Sequence, residues 1–167
     1  MAEKPPADHV AFIHAQWRRE APEIDLDGSR IIARARRITL LARGRIEAVF
    51  AAHGLDTGEF DVLATLRRSG TPFALRPTEL YRAMMISSGG LTDRLDRLEA
   101  RGLIRRKQAK EDKRSFLVEL TAKGRALIEA AFAKDMAVEN EMVAGLSAAE
   151  KDELVRLLTK LAADLES

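Results

Sequence analysis

The residues best suited to chemistry lie in a basic segment between Arg101 and Arg114. Seven basic side chains outnumber two acidic ones there, which gives a local charge of +5. Residues 129–167 instead carry nine carboxylates against four basic side chains, a local charge of −5. Clustered lysines and arginines bind phosphates, and such an asymmetry is typical of a protein with one face on nucleic acid. The pattern therefore predicts a phosphate-binding surface in the middle of the chain.

Two short runs with strand character enclose the most polar part of this segment. Residues Ile104 to Gln108 and Ser115 to Leu120 have the composition of a small half-buried hairpin. The loop between them is too polar to bury. Thr121 can then cap a helix that begins at Ala122. The segment therefore predicts a basic two-stranded wing followed by a helix.

A helix-turn-helix is predicted directly before this wing, over Arg76 to Arg106. A proline suits the first turn of the first helix, and Gly102 ends the second helix. Leucines at 91, 95 and 98 share one face of the second helix and should anchor it to a core. A solvated surface helix with Asp93 and Arg97 paired is the alternative.

The groove-facing end of this second helix supplies the first set of candidate DNA contacts. Hydroxyls and an arginine can meet phosphates or base edges in a major groove. The candidates are Ser87, Ser88, Thr92 and Arg97.

The wing supplies the second set of candidate DNA contacts. Arg114 has the length to enter a minor groove, and Asp112 can hold it in place. Lys110 and Lys113 can touch phosphates without reading sequence. Ser115 completes the set. The alternative is an ordinary charged hairpin tip.

Outside the wing the apolar residues recur at helical spacing. Thr57 is a good N-cap for one of the predicted helices, and Ser147 with Glu150 forms a capping box for the last one. We expect a mainly α protein with a small β-hairpin wing, that is, a winged helix-turn-helix with helical dimerisation regions from both termini. The apolar stripes of the terminal helices have no obvious partner within one winged core, so a homodimer would bury them. The predicted regions are an N-terminal extension with an extra helix (1–28), dimerisation helices (29–56 and 122–167) and a DNA-binding region (57–121).

Composition excludes several classes of protein. The chain has no cysteine, so it has no disulfide and no zinc–thiolate site. Aromatic residues make up only 5%, too few for stacking platforms on single strands. No catalytic motif, cofactor motif or histidine metal site is evident, and no run approaches a membrane span. We expect a cytoplasmic protein that is not an enzyme.

The motifs resemble those of the MarR family. Residues 112–124 match the family's wing pattern, D-x-R-S-x-x-V-x-L-T-x-K-G. Residues 90–92, 97–99 and 101–104 (GLT, RLE and RGLI) are similar to its recognition helix and the exit from that helix. The resemblance covers about residues 30–165. It implies a dimeric winged-helix transcription factor, usually a repressor, that a small ligand releases from double-stranded DNA.

A narrower resemblance concerns a subgroup that responds to urate and related purines. Members of this subgroup have an extra N-terminal helix with a tryptophan, an aspartate before the helix-turn-helix and an arginine in the recognition helix, and the chain resembles them in all three features. Trp17, Asp61 and Arg94 match these positions and are the candidate ligand contacts. The subgroup's N-terminal asparagine has no counterpart, since the first asparagine is Asn140.

The sequence leaves open the roles of these three residues, the class of the effector and the function of the whole module. Trp17 can simply anchor the extra helix, Asp61 can favour the positive end of its helix dipole, and Arg94 can contact phosphate. The effector can be a purine such as urate or a lipophilic aromatic acid. The whole module can also be a winged helix for protein–protein contact without sequence-specific DNA binding.

Overall fold

Helices dominate the molecule, as the apolar periodicity predicts. The computed structural model describes residues 8–84, 90–108 and 116–166, which form seven helices and three strands. The helices are α1 (His9–Glu20), α2 (Asp27–Ala52), α3 (Thr57–Arg68), α4 (Pro77–Ala83), α5 (Leu91–Ala100), α6 (Ala122–Met142) and α7 (Ala148–Glu166). The strands are β1 (Ala74–Leu75), β2 (Ile104–Gln108) and β3 (Phe116–Leu120). The predicted fold class is confirmed.

The chain divides into two units, residues 1–45 and 46–167, with the boundary inside α2. In the first unit Asp8 caps α1 by accepting a hydrogen bond from the backbone N–H of Ala11 at 3.0 Å. Asp8 also forms an ion pair with Arg34 of α2. The buried ring of His14 places Nε2 3.0 Å from Ser29 Oγ. Polar contacts therefore join the extra helix to the first half of α2.

Helix α3 is the centre of the second unit. Asp56 accepts a hydrogen bond from the Glu59 backbone N–H at 2.7 Å, and the Glu59 carboxylate accepts one from the Asp56 backbone N–H at 3.2 Å. This capping box fixes the start of the helix. Helix α3 then packs against α4, α5, α6 and β3. The most buried core side chains are Val62, Leu63, Leu66, Leu80, Leu98, Leu103, Ile104, Val118 and Ile128.

The three strands form an antiparallel sheet in the order β1-β3-β2. In the wing, Ile104 lies opposite Leu120 and Gln108 opposite Phe116, so the predicted hairpin is confirmed with its predicted β2 bounds. Strand β1 was not predicted, because two residues are too short to show the alternation of a strand. It is defined by its pairing with β3, which lies far away in the chain.

Capping signals at the helix ends gave one wrong prediction and two correct ones. Thr57 was predicted as the cap of α3, but it is the first helical residue and Asp56 is the cap. Asp56 is the N-cap residue because Glu59, three residues later, completes its capping box. Thr121 caps α6 as predicted, and Ser147 pairs with Glu150 at the start of α7 as predicted.

Helix α7 differs from the others in having no buried residue along its 19 positions. Five large apolar side chains are exposed on it: Leu154, Val155, Leu157, Leu158 and Leu165. Helix α7 therefore has an apolar face that the single chain does not cover.

Among the residues that the structure describes, no helix is long and apolar enough to cross a membrane.

Candidate nucleic-acid interface

Helices α4 and α5 stand where the sequence predicts the helix-turn-helix. Helix α5 begins after Gly90, whose φ of 75° is in the left-handed region that suits glycine. It buries Leu95 and Leu98 in the core and exposes Thr92 and Asp93 near its N-terminus. The predicted inward and outward faces are therefore confirmed. Ser87 and Ser88, predicted to contact DNA, lie outside the described residues.

Arg97, predicted to contact DNA, is tied to the N-terminus of α3. Its Nε donates to Glu59 Oε1 at 3.0 Å and its Nη2 donates to Asp56 Oδ2 at 2.8 Å. The hydrogen bond with Glu59 is the main reason that the pKa of the Arg97 guanidinium is raised. Arg101 adds a second guanidinium to Glu59, with Nη1 3.2 Å from Oε2. Because Glu59 is buried, these contacts attach the predicted recognition helix to α3.

The Arg97 side chain remains half exposed at 49%. A guanidinium has five donors, and the two contacts to α3 occupy only part of them. Arg97 therefore attaches α5 to α3 and still leaves about half of its side chain exposed to solvent.

The base of the wing is attached to the same helix through Arg106. Its Nη1 lies 2.7 Å from Glu99 Oε2, and its Nη2 lies 2.5 Å from Asp96 Oδ1. The hydrogen bond with Asp96 is the main reason that the pKa of Arg106 is raised. The same guanidinium lies 5.5 Å from the centre of the Phe116 ring on β3. One arginine thus links α5 to both strands of the wing.

A second ion pair joins the two wing strands. Arg105 Nη2 lies 2.6 Å from Glu119 Oε1 and its Nε lies 3.1 Å from Oε2. This bidentate hydrogen bonding lowers the pKa of Glu119, and the charge of Lys107 contributes to the shift. The wing residues predicted to contact DNA lie outside the described residues, namely Lys110, Asp112, Lys113, Arg114 and Ser115.

The predicted ligand contacts fall into both units. Trp17 belongs to the first unit and is 51% exposed. Asp61 and Arg94 belong to the second unit and are half buried. Arg94 Nη1 is buried without a hydrogen-bond partner among the described residues, and so is the hydroxyl of Thr65. Asp61 and Thr65 are four residues apart and share one face of α3.

Comparison with known proteins identifies the chain. Residues 53–115 match the model of the MarR family. The transcriptional regulator PecS of Dickeya dadantii is 38% identical over 152 residues, which cover 91% of this chain and 92% of PecS. The chain belongs to the MarR family.

Solved structures of DNA-binding proteins support the same conclusion. A variant of MarR from E. coli, solved in complex with operator DNA, is 28% identical with a TM-score of 0.67 and covers 83% of this chain and 99% of MarR. Bordetella bronchiseptica BpsR, whose DNA binding is regulated by 6-hydroxynicotinic acid, is 29% identical with a TM-score of 0.62 over 75% of this chain and 91% of BpsR. This MarR-family protein is therefore a transcriptional regulator with a DNA-binding fold.

Sequence reasoning missed the residues that hold this MarR-family recognition helix in place. Asp56 and Glu59 carry a local signal, since an acidic N-cap residue followed three positions later by glutamate is a capping box. No local signal shows that Glu59 also accepts hydrogen bonds from Arg97 and Arg101. The role of Arg106 depends likewise on the approach of the wing to α5.

Proposed function

We propose that this MarR-family regulator is a dimeric repressor that binds an inverted-repeat operator and is released by a small anionic ligand. One observation carries the DNA-binding part of the proposal. Helix α5 buries its leucines, exposes Thr92, and is joined by Arg106 to the strands of a basic wing. This arrangement suits a recognition helix in a major groove with the wing beside it.

The proposed division of labour among the basic residues follows from their chemistry. Arg114 enters the minor groove beside the wing, whereas Lys110 and Lys113 contact phosphates. Thr92 contacts base edges or phosphates from α5. Arg97 adds a phosphate contact through the exposed part of its guanidinium while Asp56 holds the other part.

A binding assay with graded salt tests this division. We expect Arg114→Ala to weaken operator binding by about 1–3 kcal/mol, because a good groove contact is lost. Lys110→Ala or Lys113→Ala should instead weaken binding to all sequences alike and reduce the salt slope by about one unit each. Lys151→Ala, in the acidic C-terminal region, is the matched control and should change neither quantity. An unchanged affinity for Arg114→Ala, with no preference for any operator, would favour the protein–protein module instead.

The proposed dimer uses helices from both ends of the chain. Exposed apolar residues lie on α2 as well as on α7, among them Ile31, Ile38 and Leu41. Large exposed apolar surfaces are typical of protein interfaces. A symmetric dimer would bury such faces and place two recognition helices about one turn of DNA apart.

The proposed effector site lies at Arg94 and Asp61 in the second unit. A buried guanidinium N–H without a partner favours an acceptor group, and an anionic ligand supplies one with a charge-assisted hydrogen bond. Urate or a related purine is the proposed ligand. The rival is an aromatic acid, a class for which the regulation of BpsR by 6-hydroxynicotinic acid is a precedent in a relative.

Release would follow from linkage. Arg94 belongs to α5, so a ligand that binds Arg94 more tightly when the whole of α5 is displaced favours a displaced recognition helix. Such a ligand must weaken DNA binding, and DNA must weaken ligand binding by the same factor.

Calorimetric titration of urate and of 6-hydroxynicotinic acid, with and without operator DNA, tests the effector. We expect urate to bind, Asp61→Ala and Arg94→Ala to weaken it, and operator DNA to reduce its affinity. Quenching of Trp17, the single tryptophan, reports whether that ring is also a contact. Urate binding that is unchanged in both variants would leave the family assignment intact and refute the proposed site.

A further inference from the structure

Gly58 occupies a position where the backbone does not require glycine. It is the second residue of α3, is buried, and lacks the positive φ that explains Gly54 and Gly102. Glycine destabilises a helix relative to alanine because it loses more backbone entropy on folding. A reason other than backbone conformation is therefore needed for glycine at this position.

The reason is the side chain of Arg94. A Cβ atom added at Gly58 would lie 2.2 Å from Arg94 Nε, 2.5 Å from its Cζ and 2.8 Å from its Cδ. Such distances are far inside van der Waals contact. The arginine therefore lies directly on the backbone of the first turn of α3, and only a residue without a side chain leaves room for it.

This contact determines where the unpaired donor of Arg94 is held. Gly58 and Asp61 are three residues apart and therefore neighbours on one face of α3. Arg94 lies across that face at Gly58, with Nη1 buried and without a hydrogen-bond partner among the described residues. The absence of a side chain at position 58 thus brings the guanidinium of α5 to the face of α3 that carries Asp61.

We propose that Gly58 is a positioning residue for the effector, because it lets Arg94 rest against α3 with its unpaired N–H ready to receive the anionic group of the ligand. The effector site at Arg94 and the identity of the ligand rest on the proposed function, whereas the contact of Arg94 with Gly58 does not. Alanine at position 58 would push the flexible end of Arg94 off α3. Helix α5 would keep its other attachments, namely its buried leucines and the ion pairs of Arg97 and Arg106. The result is a repressor that binds DNA but no longer responds to the effector.

The first measurement is a ligand-binding cycle with Gly58→Ala, Arg94→Ala and the double variant. We expect Gly58→Ala to weaken urate binding at least tenfold by calorimetry and to leave operator affinity within about threefold of the unsubstituted protein. In the Arg94→Ala background, Gly58→Ala should have no further effect on the affinity for urate. Gly28→Ala, also in the first turn of a helix but with open space around it, should bind urate normally. Normal urate binding by Gly58→Ala, or an equal loss in both backgrounds, would overturn the proposal.

The second measurement is a thermal-unfolding cycle with the same variants, which needs no ligand. Without Arg94 the alanine has room, so Gly58→Ala should raise the Tm by about 2–4 °C through helix propensity. With Arg94 present that gain should be absent or reversed. An equal gain in both backgrounds would refute the Gly58–Arg94 contact. If the protein that retains Gly58 and Arg94 does not bind urate, the proposed effector and the effector role of Gly58 both fail, and this cycle still decides whether Gly58 makes room for Arg94.

Discussion

Helices α3 and α7 have similar amphipathic sequences but opposite environments. Helix α3 buries seven of its 12 residues and packs against α4, α5, α6 and β3. Helix α7 buries none of its 19 residues and exposes Leu154, Leu157 and Leu158. The difference shows that one chain completes the core around α3 but leaves the apolar face of α7 exposed, where the proposed dimer would cover it. Changes in the two helices should therefore have different consequences.

The largest expected effect comes from charges on the apolar face of α7. Leu157→Glu with Leu161→Glu should abolish the proposed dimer, because burying carboxylates without partners is strongly unfavourable. We expect monomers or insoluble protein by size-exclusion chromatography with light scattering. Lys160→Glu, on an exposed neighbouring position, is the control and should leave the dimer intact. A folded dimer that survives both leucine changes would show that α7 is not the interface.

A pair of leucine truncations sharpens the comparison. Leu63→Ala in α3 should cost about 2–5 kcal/mol of unfolding free energy, because it leaves a cavity in a closed core. Its effect should be the same at every protein concentration. Leu158→Ala in α7 should destabilise only through the dimer, so its effect on Tm should change with protein concentration. Chemical denaturation over a hundredfold range of concentration measures both, and concentration-independent loss in Leu158→Ala would contradict the assignment.

Removing the cap of either helix should lower the unfolding free energy by a smaller amount, and the loss should differ between α3 and α7. Asp56→Ala removes both the cap of α3 and one partner of Arg97, and we expect a loss of about 0.5–2 kcal/mol. Ser147→Ala at the start of α7 should cost less, since its Oγ lies 3.4 Å from the backbone nitrogen of Glu150. Thermal unfolding at one concentration compares the two variants. A greater loss for Ser147→Ala would mean that the start of α7 is more important to stability than its exposure indicates.

The smallest expected effect depends on pH and involves Asp135, a buried carboxylate of α6. Burial raises the pKa of Asp135 above its ordinary value of 3.8, and nearby Glu139 adds to the shift. The folded protein therefore holds this proton more tightly than the unfolded chain does. The ionised carboxylate consequently destabilises the fold at neutral pH, and this penalty disappears as the pH falls below the unfolded pKa.

Asp135→Asn should therefore raise the unfolding free energy at pH 7, by less than the cap substitutions lower it, because the amide removes the charge that burial penalises. The gain should shrink towards pH 3.5. Glu139→Gln, which removes the secondary cause, should give a smaller gain with the same pH dependence. A stability difference that does not change with pH would show that packing, and not ionisation, distinguishes Asp135→Asn.

The sequence was sufficient for most features whose signal lies within a few neighbouring residues, and the capping box of Asp56 and Glu59 is the exception. Strand β2 has its predicted bounds, Thr121 caps α6, and Ser147 with Glu150 opens α7 as predicted. Strand β1 escaped prediction because its two residues become a strand only by pairing with β3. The family could be recognised from the wing motif because its spacing is short and specific.

The sequence by itself determined the helical class, the wing and the basic segment, because periodicity, capping and charge act along a continuous stretch of chain. Only the tertiary structure decided which side chains meet. Arg97 and Glu59 are 38 residues apart in the chain, and their hydrogen bond attaches the recognition helix to α3. The contact of Arg94 with Gly58 also joins α5 to α3. Such contacts depend on how two helices pack, and a glycine that makes room for a distant arginine has no signature among its own neighbours.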